Sequence, residues 1–189
     1  MKQLRQDFEA IAATWAPEDL VFLDECGVNI AMRQMFGWAP KGERAMGERP
    51  VHRGKNLTVV GAMTLEGPLV VTPWEGALDG DGFIAWLETF LLRHLRRGQV
   101  LVMDNLRVHK VPGVKEMLEA AGIKICYLPP YSPDLNPIEE CWSKIKHWLR
   151  RIGARGMEEL KLAVKEATGK VTANDARGWF RHAGYAVAN

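Results

Sequence analysis

Three acidic residues lie at positions where a fold could bring them together. Asp24 closes the apolar run in DLVFLDECG, Asp104 follows the apolar core of QVLVMDN, and Glu139 lies in NPIEECW. The two apolar runs predict buried strands, and the third stretch predicts the first turn of a helix. If that helix packs on the sheet that contains the strands, the three carboxylates can converge.

Converging carboxylates indicate a particular chemistry. Two of them about 4 Å apart repel by roughly 4 kcal/mol at an effective dielectric near 20, so three together require a proton or a cation. Ligand sets made only of oxygen favour Mg²⁺ or Mn²⁺. A pair of such ions can activate a water or hydroxyl and stabilise the leaving oxygen of a phosphodiester. The acids therefore predict phosphoryl transfer with two metal ions.

Each acid also has an ordinary structural role. Glu139, in the first turn of its helix, could complete a capping box or meet the positive end of the helix dipole. Asp24 and Asp104 could cap turns at strand ends. The combination of all three with a rigid lead into the helix favours the metal site, because metal chemistry tolerates little positional error.

The segment that precedes and begins this helix is LPPYSPDLNPIEECW, residues 128–142. Asn136 is predicted to cap the helix and Pro137 to occupy its first position. A helical wheel places Glu139 at the edge of the buried face with Lys146 and Arg150 on the same side, whereas Glu140 is predicted to point toward solvent. The apolar stripe behind them consists of Ile138, Cys141, Trp142, Ile145, Trp148 and Leu149.

The remaining elements predict an α/β fold. Three strand-like runs, MRQMFGWAP, LTVVGAMTLEG and PLVVTPW, follow the first strand, and then a helix runs from Asp81 toward Gly98, which is predicted as its C-terminal cap. After QVLVMDN come a helix from Pro112 to Ala121 and the strand IKICYLP. Strands in a meander followed by β-α-β alternation predict a mixed sheet with helices on its faces.

The bulk properties are those of one globular domain. The chain has 189 residues, 47% of them hydrophobic and 25% charged, and no apolar run approaches the roughly 18 residues of a membrane span. The first 16 residues predict an amphipathic helix rather than an export signal. Three cysteines without a CxxC pair disfavour a disulfide framework and a thiolate zinc site, and we expect a soluble, cytoplasmic protein with no membrane partner.

The motifs resemble a known family. DNLRVHK from Asp104, followed by LPPYSPDLNPIEECW, is similar to the signature of mariner-related DDE transposases, in particular the catalytic domain encoded by bacterial insertion sequences. The 34 residues between Asp104 and Glu139 are similar to the family's spacing, and LDECG resembles the block of its first acid. FGWAPKGERA and HAGY also look like family landmarks, so the resemblance covers nearly the whole chain.

The resemblance implies a ribonuclease H-like fold with extra C-terminal helices. Residues 17–152 would form the catalytic core, 153–189 a helical extension of the same domain, and 1–16 a helix that is a remnant of a linker. The implied activity is metal-dependent cutting of DNA at transposon ends and joining of the 3′-hydroxyl to target DNA. Asp24, Asp104 and Glu139 would be both the catalytic residues and the ligands of two Mg²⁺ or Mn²⁺ ions.

The resemblance also implies DNA contacts and partners. Residues 137–189 hold ten Lys or Arg against six Asp or Glu, and this basic bias fits contact with phosphates or a solvated helical face. His109 could orient a ligand or contact phosphate, or make a purely structural hydrogen bond. The candidate contacts to double-stranded DNA are Asn105, His109, Lys110, Lys144, Lys146, Arg150 and Arg151.

The family resemblance leaves one function unaccounted for. Family members carry an N-terminal helix-turn-helix region that reads the terminal repeats, whereas only about twenty residues precede the first strand here. A separate or frame-shifted reading frame would supply that region, or the chain is a truncated remnant. Synapsis of two ends implies a homodimer. The alternatives to a transposase are a ribonuclease H-like nuclease that only hydrolyses and a non-catalytic DNA-binding remnant that inhibits full-length transposase.

Overall fold

A single mixed sheet forms the centre of the computed structural model, which describes residues 2–48, 50–52 and 54–187. Its strands are β1 (Leu20–Val28), β2 (Leu57–Thr64), β3 (Gly67–Glu75), β4 (Val100–Met103) and β5 (Lys124–Tyr127). They are ordered β3-β2-β1-β4-β5. β1, β2 and β3 form an antiparallel meander, while β4 pairs parallel with both β1 and β5. The predicted mixed sheet is confirmed.

The helices cover both faces of this sheet. They are α1 (Lys2–Ala12), α2 (Gly80–Trp86), α3 (Val114–Ala120), α4 (Ile138–Ile152), α5 (Met157–Thr168) and α6 (Ala173–His182). Short 3₁₀ helices at Pro17–Asp19, Arg107–Lys110 and Pro133–Leu135 join the larger elements. No helix in the described parts of the chain is both long and apolar enough to cross a membrane.

Alternation along β1 explains why the strand is buried on both sides. Phe22 packs into the cluster beneath α4, α5 and α6, whereas its neighbour Leu23 packs into the cluster beneath α2 and α3. Both side chains are fully buried. Successive residues of a strand point to opposite faces, so Asp24 faces the α4 side and Glu25 the α2–α3 side. Leu160 and Phe180 bring α5 and α6 into the same cluster as Phe22.

The prediction of a strand at MRQMFGWAP is wrong. The described residues between Val28 and Leu57 lie outside the sheet, because β1 ends at Val28 and its antiparallel partner β2 begins only at Leu57. In the described part of this connection the apolar side chains lack a partner strand, and Phe36 and Trp38 are almost completely exposed. These two aromatic side chains therefore take no part in the core.

The helix predicted from Asp81 is confirmed in its first part and corrected at its end. After α2 the backbone continues as a π-helical turn at Leu87–Leu91 and a 3₁₀ turn at Leu92–His94, where the helix stops. Gly98 lies beyond this end, with a φ of 94°, and its N–H donates to the Gly122 carbonyl oxygen at 2.9 Å. It serves a turn before β4 and is not the helix cap.

Candidate active site

The register of β1 and β4 brings the first two acids to the same edge of the sheet. Leu23 pairs with Met103, and Asp24 and Asp104 are the next residues along the chain. The prediction that Asp24 ends its strand is wrong, because β1 continues to Val28 in its pairing with β2, but the parallel pairing with β4 does end before Asp24. The carboxyl ends of parallel strands meet at one edge, which is where ligands bind in open α/β sheets. α4 begins beside this edge, so the side chain of Glu139 opens into the same space.

All three predicted acids line one cleft with a volume of about 540 Å³. Asp24, Asp104 and Glu139 share its walls with the end of β5 and the proline-rich segment. Within the described residues, no group of three His, Cys, Asp or Glu side chains already has the close arrangement of a formed metal site. The other lining residues are Asn105, Leu106, Leu128, Pro129, Pro130, Tyr131, Ser132, Pro133 and Asn136.

Asp24 lies in the buried part of the cleft. The side chain of Trp142 donates its indole N–H to Asp24 Oδ2 at 3.1 Å. Burial, and next the negative charge of Glu139, raise the pKa of Asp24 to about 7. The carboxylate is thus held by a neutral donor and is strained electrostatically by its acidic neighbour.

A glycine makes room for the indole that holds Asp24. Gly61 on β2 stands opposite Asp24 in the antiparallel register. A Cβ at position 61 would lie only 2.6 Å from Trp142 Cη2, closer than carbon atoms can approach. Gly61 therefore allows the Trp142 ring to approach the backbone of β2, within hydrogen-bonding reach of Asp24.

Asp104 has different surroundings. Its Oδ1 accepts the Leu106 N–H at 3.0 Å and lies 2.8 Å from His109 Nδ1. His109 Nε2 lies 2.9 Å from Glu25 Oε1, so the buried imidazole bridges two carboxylates. The turn-capping role considered for Asp104 is therefore present, but the buried histidine adds a second contact to the same oxygen.

The charges around His109 follow from these contacts. Burial by itself lowers the pKa of His109, but its bonds to Asp104 and Glu25 outweigh burial and raise the pKa to about 10. For Asp104, partial burial raises the pKa, whereas the bonds from His109 and Leu106 together bring the pKa below its ordinary value. The Asp104 side of the cleft is thus an ion pair at neutral pH.

Glu139 lies at the cleft, as the helical wheel predicts, but the exposure of Glu139 and Glu140 differs from the prediction. Glu139 faces the cleft, and no side-chain cap closes the start of α4, so the capping-box alternative is not what the structure shows. Glu140 is the less exposed of the two, because α6 packs near it and its Oε1 lies 2.6 Å from His182 Nδ1. The prediction that Glu140 points further into solvent is wrong.

Asn136 does not cap α4 through its side chain. The N-cap position is Pro137, and the Asn136 carbonyl oxygen accepts the Glu139 N–H at 3.1 Å. The side chain instead lines the cleft, and its buried Oδ1 has no hydrogen-bond partner among the described residues. A 3₁₀ turn at Pro133–Leu135 precedes it and sets the direction of the chain into the helix.

Distant parts of the chain hold the proline-rich segment in place. Arg5 on α1 donates to Asp134 Oδ1 at 2.9 Å and to Ser132 Oγ at 3.1 Å. The hydroxyl of Tyr185, after α6, donates to the Leu135 carbonyl oxygen at 2.8 Å. The start of α4, and with it Glu139, is therefore tied to both ends of the described chain.

The predicted DNA contacts fall into four groups. Lys146 and Arg150 continue the Glu139 side of α4 at seven and eleven residues' distance, which is close to whole helical turns. Asn105 and Lys110 are exposed at the Asp104 side of the cleft and contact each other. His109 is completely buried, so it has no surface for DNA and is corrected to a structural contact of Asp104.

The other two cations lie on a different side of α4. Lys144 Nζ pairs with Asp175 Oδ2 on α6, and the Arg151 guanidinium lies 4.8 Å from the centre of the Trp148 ring. Together with His147 they line a shallow surface that faces away from the acids. DNA running past Glu139 along α4 would meet Lys146 and Arg150 rather than this second surface.

Sequence reasoning missed Glu25 and the hydrogen bond of Trp142. Trp142 was predicted as a core residue, which its 1% exposure confirms, but its donor role toward Asp24 was not foreseen. A signal existed for Glu25: an acid next to Asp24 on a doubly covered strand must be buried on the opposite face, where it requires a cation. The residue that meets it, His109, lies five positions after Asp104.

Comparison with known proteins identifies the family and the fold of this chain. The family model of the DDE superfamily endonuclease matches residues 19–161. Comparison with curated proteins gives no match. Among solved structures, a Mos1 transposase paired-end complex with the left transposon end is 17% identical with a TM-score of 0.78, over 95% of this chain and 56% of that one.

Two further structures show the same fold. The catalytic domain of Mos1 mariner transposase is 16% identical with a TM-score of 0.70, over 96% of this chain and 84% of that one. The same catalytic domain with Raltegravir and Mn is 16% identical with a TM-score of 0.71, over 95% and 86% of the two chains. The present chain thus spans little more than half of the longer Mos1 chain.

The fold prediction is confirmed by these matches: the mixed sheet and its helices are ribonuclease H-like, with additional C-terminal helices, as in the Mos1 catalytic domain. The family model includes all three acids of the cleft, from the strand that carries Asp24 to the helix that carries Glu139. This chain belongs to the DDE superfamily endonuclease family.

Proposed function

We propose that the chain is the catalytic domain of a DNA transposase, which cuts DNA at transposon ends and joins the freed 3′-hydroxyl to target DNA. The observation that carries the proposal is the single cleft lined by Asp24, Asp104 and Glu139 in a DDE-family fold. The structural matches include a transposase bound to a transposon end, and this likeness extends over 95% of the present chain.

The donor set of the cleft fits divalent cations. Its three carboxylates are oxygen ligands of the kind that Mg²⁺ and Mn²⁺ prefer, and the buried Oδ1 of Asn136 adds an oxygen without a partner among the described residues. Burial, and next the negative charge of Glu139, raise the pKa of Asp24, and a bound cation would favour its ionised form. Asp24, Asp104 and Glu139 would hold two ions, which when bound supply Lewis acidity for phosphoryl transfer.

The chain's own residues would prepare the site for that chemistry. Trp142 holds the Asp24 carboxylate, and the proline-rich segment fixes the start of α4, so that two of the three acids have restricted positions. Lys146 and Arg150 would bind DNA phosphates along the helix that carries Glu139. Asn105 and Lys110 would contact the strand on the opposite rim, beside Asp104.

The test is cleavage of DNA that carries the element's own terminal repeats, with Mg²⁺ or Mn²⁺ and with EDTA as the metal-free control. Wild-type protein should cut at the repeat ends, and a supplied 3′-hydroxyl end should join to plasmid DNA. Cutting without joining would instead identify a nuclease that only hydrolyses. Absence of both reactions with and without added partner protein would contradict the proposal and favour a non-catalytic remnant.

The proposed partners follow from the same function. We infer a homodimer in the complex that holds two transposon ends, and a helix-turn-helix region, on a separate subunit or an upstream reading frame, that reads the repeats. The free cysteines at positions 26, 126 and 141 fit action in the reducing cytoplasm of a bacterial cell that carries the insertion sequence. Sedimentation with paired-end DNA and reconstitution with the upstream product test these partners.

A further inference from the structure

A buried chain of contacts connects Glu25 to the cleft, although Glu25 does not line it. Glu25 follows Asp24 on β1 and points to the opposite face of the sheet. There its Oε1 lies 2.9 Å from His109 Nε2, and His109 Nδ1 lies 2.8 Å from Asp104 Oδ1. The imidazole therefore joins the middle of β1 to the end of β4.

The surroundings of His109 allow its ring little freedom. Its side chain is completely buried, and the Phe83 ring packs against it with a centroid distance of 4.7 Å. The hydroxyl of Tyr127 donates to the His109 carbonyl oxygen at 3.0 Å, which holds the 3₁₀ turn from below. Because the ring is fixed in this way, the position of Glu25 at Nε2 affects the position of Asp104 at Nδ1.

The contacts of Asp104 determine which of its oxygens faces the cleft. Both the Leu106 N–H and the His109 ring approach Oδ1, and among the described residues Oδ2 has no such contact. Residues bonded to one oxygen of a ligating carboxylate orient its other oxygen, and their loss in metal proteins typically weakens metal affinity or activity about 10–100-fold.

We propose that Glu25 is a positioning residue, which acts through the His109 ring to hold the Asp104 carboxylate with Oδ2 directed into the cleft. This inference deepens the proposed function, on which it rests for the identity of the ligand. Glu25 does not line the cleft, and its contact toward Asp104 is the His109 ring. The proposed effect therefore passes through His109.

The first experiment measures metal binding directly. Mn²⁺ binding to Glu25→Gln, followed by the EPR signal of the free ion, should weaken about tenfold relative to wild type, and the Mn²⁺ concentration for half-maximal cleavage should rise by a similar factor. Glu140→Gln is the matched control, because it alters another Glu–His pair that lies away from Asp104. Unchanged binding in Glu25→Gln would overturn the proposal.

A double-mutant cycle tests the route through His109. In a His109→Gln background, Glu25→Gln should add less than twofold to the loss of Mn²⁺ affinity, because residues in one chain of contacts are not additive. Two independent tenfold losses that multiply to about a hundredfold would show that Glu25 acts by another route. Thermal unfolding of each variant separates weak binding from loss of the fold.

A metal-free crystal structure of Glu25→Gln keeps this inference separate from the proposed function. The expected result is a rotated Asp104 side chain and a longer distance between His109 Nδ1 and Asp104 Oδ1. An unmoved carboxylate would reject the positioning role even if the enzyme is a transposase. If wild-type protein binds no Mn²⁺, the proposed function fails, whereas the rotation still decides the role of Glu25 in holding Asp104.

Discussion

Asp24 and Asp104 follow paired residues on neighbouring parallel strands, yet their electrostatic surroundings are opposite. Asp24 is 8% exposed, accepts a bond from a neutral indole and has its pKa raised to about 7. Asp104 is more exposed and pairs with a buried histidine that has its pKa raised to about 10. Among the described residues, Asp24 is therefore held by a neutral donor, whereas Asp104 is paired with the cationic His109.

The difference teaches how a carboxylate cluster can be assembled before it meets a metal ion. Three like charges at one cleft would repel strongly if none were compensated. His109 carries one positive charge between Asp104 and Glu25 and therefore offsets the charge of Asp104 in part. Among the described residues, Asp24 has no cationic partner of this kind and is further disfavoured as an anion by its burial and by the charge of Glu139. A cation entering the cleft would therefore gain most from the Asp24 side.

The largest effect on DNA cleavage is expected from neutralising any one of the three acids of the cleft. Asp104→Asn, Asp24→Asn and Glu139→Gln should each lower the rate of DNA cleavage at least about 10³-fold, since all three are proposed to hold the catalytic ions. Single-turnover cleavage of terminal-repeat DNA measures this. Glu140→Gln should remain within about twofold of wild type, and a Glu139→Gln variant that is equally active would remove Glu139 from the site.

Replacing Asp24 and replacing Asp104 by asparagine should change the free energy of unfolding of the metal-free protein in opposite directions. The folded protein retains a proton on Asp24 that the unfolded chain releases near its ordinary pKa of 3.8. This contribution is complete below about pH 4 and is lost as the pH rises through about 7, with a total of roughly 4 kcal/mol. We therefore expect Asp24→Asn to unfold at higher urea than wild type at pH 8 in EDTA, and the gain to shrink toward pH 5.

Asp104→Asn should do the opposite under the same conditions. A lowered pKa contributes stability that is present above the ordinary pKa and is lost as the pH falls through the folded value. At pH 8 the asparagine no longer pairs with the protonated His109, so the free energy of unfolding should decrease. If the free energy of unfolding changed by the same amount and with the same sign in Asp24→Asn and Asp104→Asn, the electrostatic surroundings of the two aspartates would not differ as described.

A smaller loss of activity is expected when the hydrogen bond from Trp142 to Asp24 is removed. Trp142→Phe removes the donor while keeping an aromatic ring, and it should lower the cleavage rate about tenfold and the stability by roughly 1–2 kcal/mol. Trp148→Phe, on the same helix but stacked with Arg151, is the matched control. Activity equal to that of the control would mean that the indole N–H has no part in placing Asp24.

The smallest predicted effect concerns DNA approaching the cleft. Lys146→Ala with Arg150→Ala should reduce the slope of log affinity against log salt by about 2, because each lost phosphate contact releases about one counterion fewer. Lys144→Ala should change the slope less, since its ammonium already pairs with Asp175. Filter binding of DNA between low and moderate salt measures the slope for each variant. A larger change of slope for Lys144→Ala than for the double variant would place the DNA on the other side of α4.

Much of the fold and of the candidate site could be predicted from local patterns. The buried strands that lead to Asp24 and Asp104 and the helical stripe behind Glu139 follow from periodicity, which depends on neighbouring residues alone. The end of the first strand does not, because β1 continues past Asp24 to Val28. The same reasoning failed for residues 32–40 and for Gly98. An apolar run becomes a strand only where another strand pairs with it, and a glycine ends a helix only if the helix has not already stopped.

The amino-acid sequence by itself determined the acids, their order on strands and helix, and the rigid start of α4, because proline geometry and side-chain alternation act over a few residues. Only the tertiary structure decided what surrounds each acid. The Trp142–Asp24 bond joins residues 118 positions apart and the His109–Glu25 contact residues 84 apart. Such contacts depend on how helices pack against both faces of the sheet, and packing over these separations has no signature in local sequence.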